Sequence, residues 1–178
     1  MDGEQISVTL HTPGLLLRPW EDGDLGALVE AYRDPAHVRW LDSKVTDEAG
    51  GRQWLDAQQA GWESGKLFTF AVVGAGDGKL AGCVVLKRPD PAGTDGEVGY
   101  WTVGAARGRG IAPRSVEAIV EWAYDGLGLR RLELIHAIDN DASCRVAEKT
   151  GFSYAQTLAA TPPWPNDAHL HIRHAPSR

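Results

Sequence analysis

Cysteine is nearly absent from this chain. Cys83 and Cys144 are the two present in 178 residues, too few for the disulfide framework of a small secreted domain. No apolar run approaches the ~20 residues needed to span a bilayer. The opening Met1-Asp2-Gly3-Glu4-Gln5 has neither a basic region nor a hydrophobic stretch, so no signal peptide is expected. Excess positive charge is also lacking. A formal net charge of -6 argues against nonspecific nucleic-acid binding. Repeats, low-complexity tracts and an interdomain linker are missing too. What remains is one domain, residues 1–178, with ordinary hydrophobic (43%) and charged (24%) fractions and enough length for a real core. The expected setting is cytoplasmic, with no membrane and no nucleic-acid partner.

Arg107-Gly108-Arg109-Gly110-Ile111-Ala112 is the most informative stretch. It follows a strand-like segment, Glu97 to Val103, and opens a helical one, Ile111 to Leu127. A glycine turn feeding a helix start gathers backbone N–H groups, adds the positive end of the helix dipole and lets a phosphate approach the main chain. Two arginines add formal charge there. The local chemistry therefore indicates phosphate or pyrophosphate. It is not a P-loop, because no Gly-x-x-x-x-Gly-Lys-Ser/Thr string exists in the chain. Nor is it a dinucleotide fingerprint, because Gly108-x-Gly110 is followed by Pro113 and lies late in the chain.

The rest of the pattern reads as alternating elements. Leu15 to Arg18 is a short strand. Asp22 and Asp24 offer caps for a helix carrying Leu25, Leu28, Val29 and Tyr32 on one face. Ala36 to Leu41 suits a further helical turn. Another helix runs from about Thr46 through Trp54, Leu55, Gln58 and Trp62 to Gly65. Phe68 to Val73 and Leu80 to Lys87 form a hairpin about Gly74 to Gly78. After the glycine turn, Pro113 fits a first helical turn, and Ile111, Ala118, Ile119, Trp122 and Ala123 repeat at helical spacing. Leu132 to Ile138 is a strand reached by helical crossover, which implies a parallel pair. Asn140 to Thr150 is a short helix closed by Gly151. Phe152 to Leu158 and His169 to His174 are strands around a proline-rich loop, Thr161 to Pro165.

Two motifs together now suggest a family. The turn fits Arg/Gln-x-x-Gly-x-Gly/Ala. About 30 residues later, Asn140-Asp-Ala-Ser143-Cys144-Arg-Val146-Ala-Glu-Lys149-Thr-Gly151-Phe152 resembles an Asn-x-x-Ser-x-x-x-x-Glu-Lys-x-Gly-Phe segment. Both patterns, and the element order over residues 12–174, resemble the GCN5-related N-acetyltransferases. Glu97-Val-Gly-Tyr-Trp101 and Leu15-Leu-Leu-Arg18-Pro19 further resemble the branch that acetylates N-termini of ribosomal proteins. The resemblance implies an α/β (α+β) single domain with a central, mixed, mostly antiparallel sheet of about 6–7 strands, one parallel pair and about 4 helices. It implies acetyl-CoA as co-substrate, a primary amine as acceptor and direct attack in a ternary complex. It allows a homodimer. The chain departs from the family near its end, where His169-x-His171 replaces tyrosine-like strand residues.

The implied reaction sets the site. The amine must lose a proton, the departing thiolate gains from one, and the tetrahedral intermediate needs donors. By resemblance, the main chain of Thr102 and Val103 pairs with the pantetheine arm. The turn Arg107, Gly108, Arg109, Gly110, Ile111 and Ala112 cradles the pyrophosphate. Asn140 holds the pantetheine or acetyl region, or caps its helix. Ser143 serves the cofactor sulfur, and Glu97 is the general base. His136, alternating with Leu132 and Leu134, is an alternative base or a core histidine, and Asp139 is a weaker candidate. Trp40, Trp54 and Trp62 border the acceptor groove. His169, His171 and His174 have metal-ligand character, but no carboxylate or cysteine completes a set, so no metal is expected. Cys144 lacks an evident His/Asn partner arrangement for a nucleophile. The alternative function is a non-catalytic acyl-CoA-binding sensor or regulatory module.

Overall fold

The computed structural model describes residues 8–41, 44–162 and 165–177. The segment Met1 to Gln5 and part of the proline-rich loop lie outside the described residues. Among the described residues, eight strands form one sheet: β1 Leu10–Thr12, β2 Leu15–Pro19, β3 Leu67–Gly74, β4 Leu80–Lys87, β5 Asp95–Thr102, β6 Arg131–Ala137, β7 Ser153–Leu158 and β8 Ala168–His174. Five α-helices among the described residues accompany them: α1 Leu25–Ala31, α2 Pro35–Val38, α3 Glu48–Ser64, α4 Ile111–Asp125 and α5 Asp141–Lys149. The spatial order is β1-β2-β3-β4-β5-β6-β8-β7. Neighbours are antiparallel except β5 and β6, whose crossover through α4 makes them parallel.

The count exceeds the expected six or seven strands and four helices. The added strand is β1, three residues that pair with β2 across a turn whose Gly14 has φ 76. Three residues are too few to display an alternating pattern. The helical turn expected over Ala36 to Leu41 is the fifth helix, α2, a single turn started by Pro35 and capped by Asp34, whose side chain accepts from the Ala36 amide.

Period-two alternation in the strands gives the sheet two apolar faces, each covered by helices. On one face, Val116, Ile119, Val120 and Ala123 of α4 are fully buried against Leu17, Phe70, Val72, Val84, Leu86, Val98, Leu132 and Leu134. Each such aliphatic side chain contributes roughly 1.5–3 kcal/mol by leaving water. Ala147 and Phe152, in and after α5, extend that face toward β6. On the other face, Leu25, Leu28, Tyr32, Val45 and Leu55 form a smaller core with Trp20, Trp54 and Trp101. Gly61 lets α3 pass close to β3, since a Cβ there would lie 2.7 Å from that of Leu67.

Candidate active site

The sheet opens where its parallel pair ends. β5 and β6 are in register only at Asp95–Arg131, Gly96–Leu132 and Glu97–Glu133. Beyond Glu97, β5 continues to Thr102 along β4 alone. Its other edge therefore faces a gap. Val103 donates its N–H to the Ala81 carbonyl (2.9 Å), and its own carbonyl accepts from Ala106 (2.9 Å). Both main-chain groups of Val103 are thus engaged inside the protein. By the alternation of an antiparallel ladder, Thr102 and Tyr100 turn their amide and carbonyl groups the other way, toward the gap.

The glycine turn stands at the end of this edge. Gly108 and Gly110 have φ 73 and 69, left-handed values that suit glycine. Gly110 is the N-cap of α4 and has no side chain to satisfy the first-turn amides of Ile111 and Ala112. Arg114 fixes the turn from behind. Its guanidinium donates to the carbonyls of Gly110 (3.0 Å), Arg109 (3.0 Å) and Pro13. The carbonyls are thus tied down, and the amide side is left uncapped. The two arginines differ. Arg107 is bound to Asp34 at 2.7 Å, whereas Arg109 is exposed.

Two further residues, Ser143 of α5 and Tyr100 of β5, meet at the gap. Asn140 caps α5 by accepting from the Ser143 amide (3.2 Å), which sets Ser143 in the first helical turn. The buried hydroxyl of Tyr100, from β5, has no hydrogen-bond partner among the described residues. Burial pushes its phenol up to about 12, an effect opposed by the neighbouring Ser143 hydroxyl. The two hydroxyls are therefore close without completing a bond of ordinary geometry. Tyr100 had no assigned role in the sequence. Its period-two relation to Thr102 was the available signal.

Glu97 lies at the closed end of the gap, 30% exposed, with Lys87 Nζ 2.9 Å from its carboxylate. Asp139 accepts from Arg39 (3.2 Å) and so links α2 to the loop after β6. Trp54 packs edge-on against Trp20 (5.0 Å), and Trp101 adjoins that cluster with His37 (4.4 Å). Trp40 carries the Arg39 guanidinium over its ring. Trp62 is elsewhere: it packs on Phe68, Phe70 and Trp122 in the main core. Trp62 thus belongs to the main core and Trp54 to the smaller one, so the two do not border the groove together.

The histidines require a correction. In β6–β8, His136 pairs with His169 and Leu134 with His171, so all three imidazoles share one face. Cys144 of α5 lies over that face. One potential ligand atom from each of His136, Cys144, His169 and His171 falls within 4.8 Å of the others. A cysteine thus does join the histidines, although no sequence spacing links it to them, and His174 is outside the group. Burial lowers the pKa of His136 and of His171, the latter also through repulsion from His136. Both are neutral at neutral pH. Cys144 is held protonated by partial desolvation and by the nearby carboxylates of Glu148 and Asp141. This disfavours a free thiolate nucleophile.

A sheet opened beside its parallel pair, with an uncapped helix start at the end of the free edge, is the layout of an acyl-CoA-dependent transferase. The chain belongs to the GNAT acetyltransferase family: the Acetyltransferase (GNAT) domain matches residues 14–153. It is similar to YdaF of Bacillus subtilis, 31% identical over 101 residues, covering 57% of this chain and 50% of that protein. It is similar to the ribosomal-protein-serine acetyltransferase of Escherichia coli, 30% identical over 74 residues, 42% of this chain and 41% of that enzyme. The chain thus aligns with half or less of these two relatives. Among solved structures, it superposes on RimL, a ribosomal L7/L12 α-N-protein acetyltransferase in complex with coenzyme A, with TM-score 0.84 at 20% identity, over 94% of this chain and 98% of that one. Mycobacterium smegmatis RimJ in complex with CoA-disulfide gives 0.82 at 20% identity, over 95% and 87%. At such identities the likeness establishes the fold. Among the described residues, no helix is long and apolar enough to cross a membrane.

Proposed function

We propose that this protein transfers an acetyl group from acetyl-CoA to a primary amine, an N-terminal α-amine or a small-molecule amine, by direct attack in a ternary complex. The observation that carries this reading is the unpaired edge of β5 leading to the uncapped amides at Gly108 to Ala112. The pantetheine amides extend the sheet along Thr102 and Tyr100. The pyrophosphate lies on the turn, where aligned N–H groups and Arg109 meet its charge. The Thr102 main chain takes the pairing role, and Val103 contributes only its flank.

Positioning supplies much of the rate. Tyr100, protonated at any physiological pH, and Ser143 flank the reacting sulfur and donate to the departing thiolate or the oxyanion. Glu97 receives the amine proton through water, its carboxylate positioned by the ion pair with Lys87. Asn140 combines capping with a side-chain amide left to face the pantetheine. A calorimetric titration with acetyl-CoA, followed by an amine panel that includes N-terminal peptides of ribosomal proteins, tests this. Saturable binding and amine-stimulated thiol release are expected. The ion pair at Glu97 favours a second reading, a silent acyl-CoA sensor, and binding without release by any amine would select it.

A further inference from the structure

We propose that His136, Cys144, His169 and His171 form a binding site for one divalent zinc-type ion at the β6–β8–α5 junction. The donor set is the first ground. Three imidazoles and one thiol are the ligands that a tetrahedral zinc site uses. They come from three elements: the histidines converge by the β6–β8 register, and Cys144 is brought over them by α5. His136 Nε2 and His171 Nε2 are 3.1 Å apart. Nitrogen ligands of a tetrahedral zinc ion lie about 3.3 Å from one another, given bonds of ~2.0–2.1 Å. The whole group, within 4.8 Å, needs a contraction of about 1 Å. Cys144 and His169 are half-buried and have the side-chain freedom to make it.

The second ground is an unsatisfied buried nitrogen. His136 Nδ1 lies 2.9 Å from the Ala137 carbonyl. A carbonyl only accepts, so Nδ1 carries the proton and Nε2 of the neutral ring is a lone pair. Without an ion, His171 Nε2 must donate to that lone pair. Its Nδ1 is then bare, and it is buried with no hydrogen-bond partner on a side chain only 2% exposed. An ion between the two Nε2 atoms removes the conflict. His171 then carries its proton on Nδ1, and the Phe152 carbonyl beside the ring is the acceptor available to it. Orientation of metal-bound histidines by carbonyls is the usual outer arrangement. Glu148 Oε1, 3.9 Å from Cys144 Sγ, provides a nearby negative charge. On binding, the Cys144 S–H bond breaks, the sulfur–metal bond forms and one proton leaves to solvent.

A cleft of about 610 Å³, lined by Cys144, Glu148, Tyr154, His169 and His171 among others, gives access from solvent. The ion would pin the first turn of α5, and with it Ser143, to β6 and β8.

The test uses tag-free protein stripped with a chelator and titrated with Co²⁺, then Zn²⁺. One equivalent is expected, with a thiolate-to-cobalt charge-transfer band and tetrahedral visible bands, and zinc should raise Tm and displace the cobalt. Cys144→Ser should abolish the charge-transfer band and weaken binding about 100-fold or more. His169→Ala, at a half-buried position, should weaken it comparably. His174→Ala, on the same strand outside the cluster, should change nothing. Absence of stoichiometric binding to the folded protein, or binding whose spectrum and affinity survive Cys144→Ser, overturns the proposal.

Discussion

The glycine turn at 107–112 and the histidine cluster at 136–171 belong to the two sides of one gap, yet they are built differently. The turn is main chain: left-handed glycines, an uncapped helix start and carbonyls held by Arg114. The cluster is side chain: four residues from β6, α5 and β8 that meet through strand register and the docking of α5. Backbone sites follow from local sequence, because a few consecutive residues determine them. Side-chain sites depend on which residues distant in sequence become neighbours.

The largest way to break this comparison is a side chain on the turn. Gly110→Val puts a β-branched residue at φ 69, costing roughly 1–2 kcal/mol of backbone strain, and covers the first-turn amides. Acetyl-CoA affinity is expected to fall about 100-fold by calorimetry, by analogy with other lost charge-assisted contacts, while circular dichroism stays native. Metal binding at the cluster should be unaffected. Unchanged acetyl-CoA affinity would move the pyrophosphate off the turn.

Next in size is the hydroxyl pair at the centre of the gap. Tyr100→Phe and Ser143→Ala each remove one donor and are expected to lower kcat about 10- to 100-fold, with little change in KM for acetyl-CoA. Because the phenol is raised to about 12, the wild-type rate should show no loss from tyrosine ionisation below about pH 10. The double variant should fall less than the product of the single ones, since the two hydroxyls act on the same atoms.

These two experiments also mark how far the sequence was legible. The turn, the crossover, the parallel pair and α5 with its Asn140 cap were readable because each is encoded over consecutive residues. Strand β1 was not, being three residues long. Tyr100 stood within a quoted motif but gained its meaning only when β5 and α5 converged. The role of Cys144 was hidden because it lies eight residues from His136, 25 from His169 and 27 from His171, on a helix that must first dock. Trp62 looked like a partner of Trp54, since both sit on one helix. They pack in different cores.

The second apolar face offers a pH test. His37 is buried between Tyr32 and Trp101, with both ring nitrogens unpartnered among the described residues. Burial, then the charge of Arg107, lowers its pKa, with Asp34 opposing. A depressed histidine pKa means that the unfolded chain binds the extra proton first. Its contribution is therefore fully present above the unfolded value of about 6.5 and is lost as pH falls through the folded one. His37→Leu should shrink the drop in Tm between pH 7.5 and pH 5.5. An unchanged drop would assign acid sensitivity to other groups.

The smallest expected effect comes from Asn140, which joins the two regions. Its side chain accepts from the Ser143 amide, so Asn140→Ala should cost about 1 kcal/mol of stability. Asn140→Asp keeps an accepting oxygen and adds a favourable charge at a helix start, so its stability should match the wild type. Replacing the amide –NH2 with a carboxylate oxygen also removes the side-chain N–H donors that could serve a pantetheine carbonyl. A rise in KM for acetyl-CoA in Asn140→Asp, at unchanged Tm, would show that the cap and the cofactor contact are separate functions of one side chain. An unchanged KM in Asn140→Asp would reduce Asn140 to a cap that serves the cofactor only by placing Ser143.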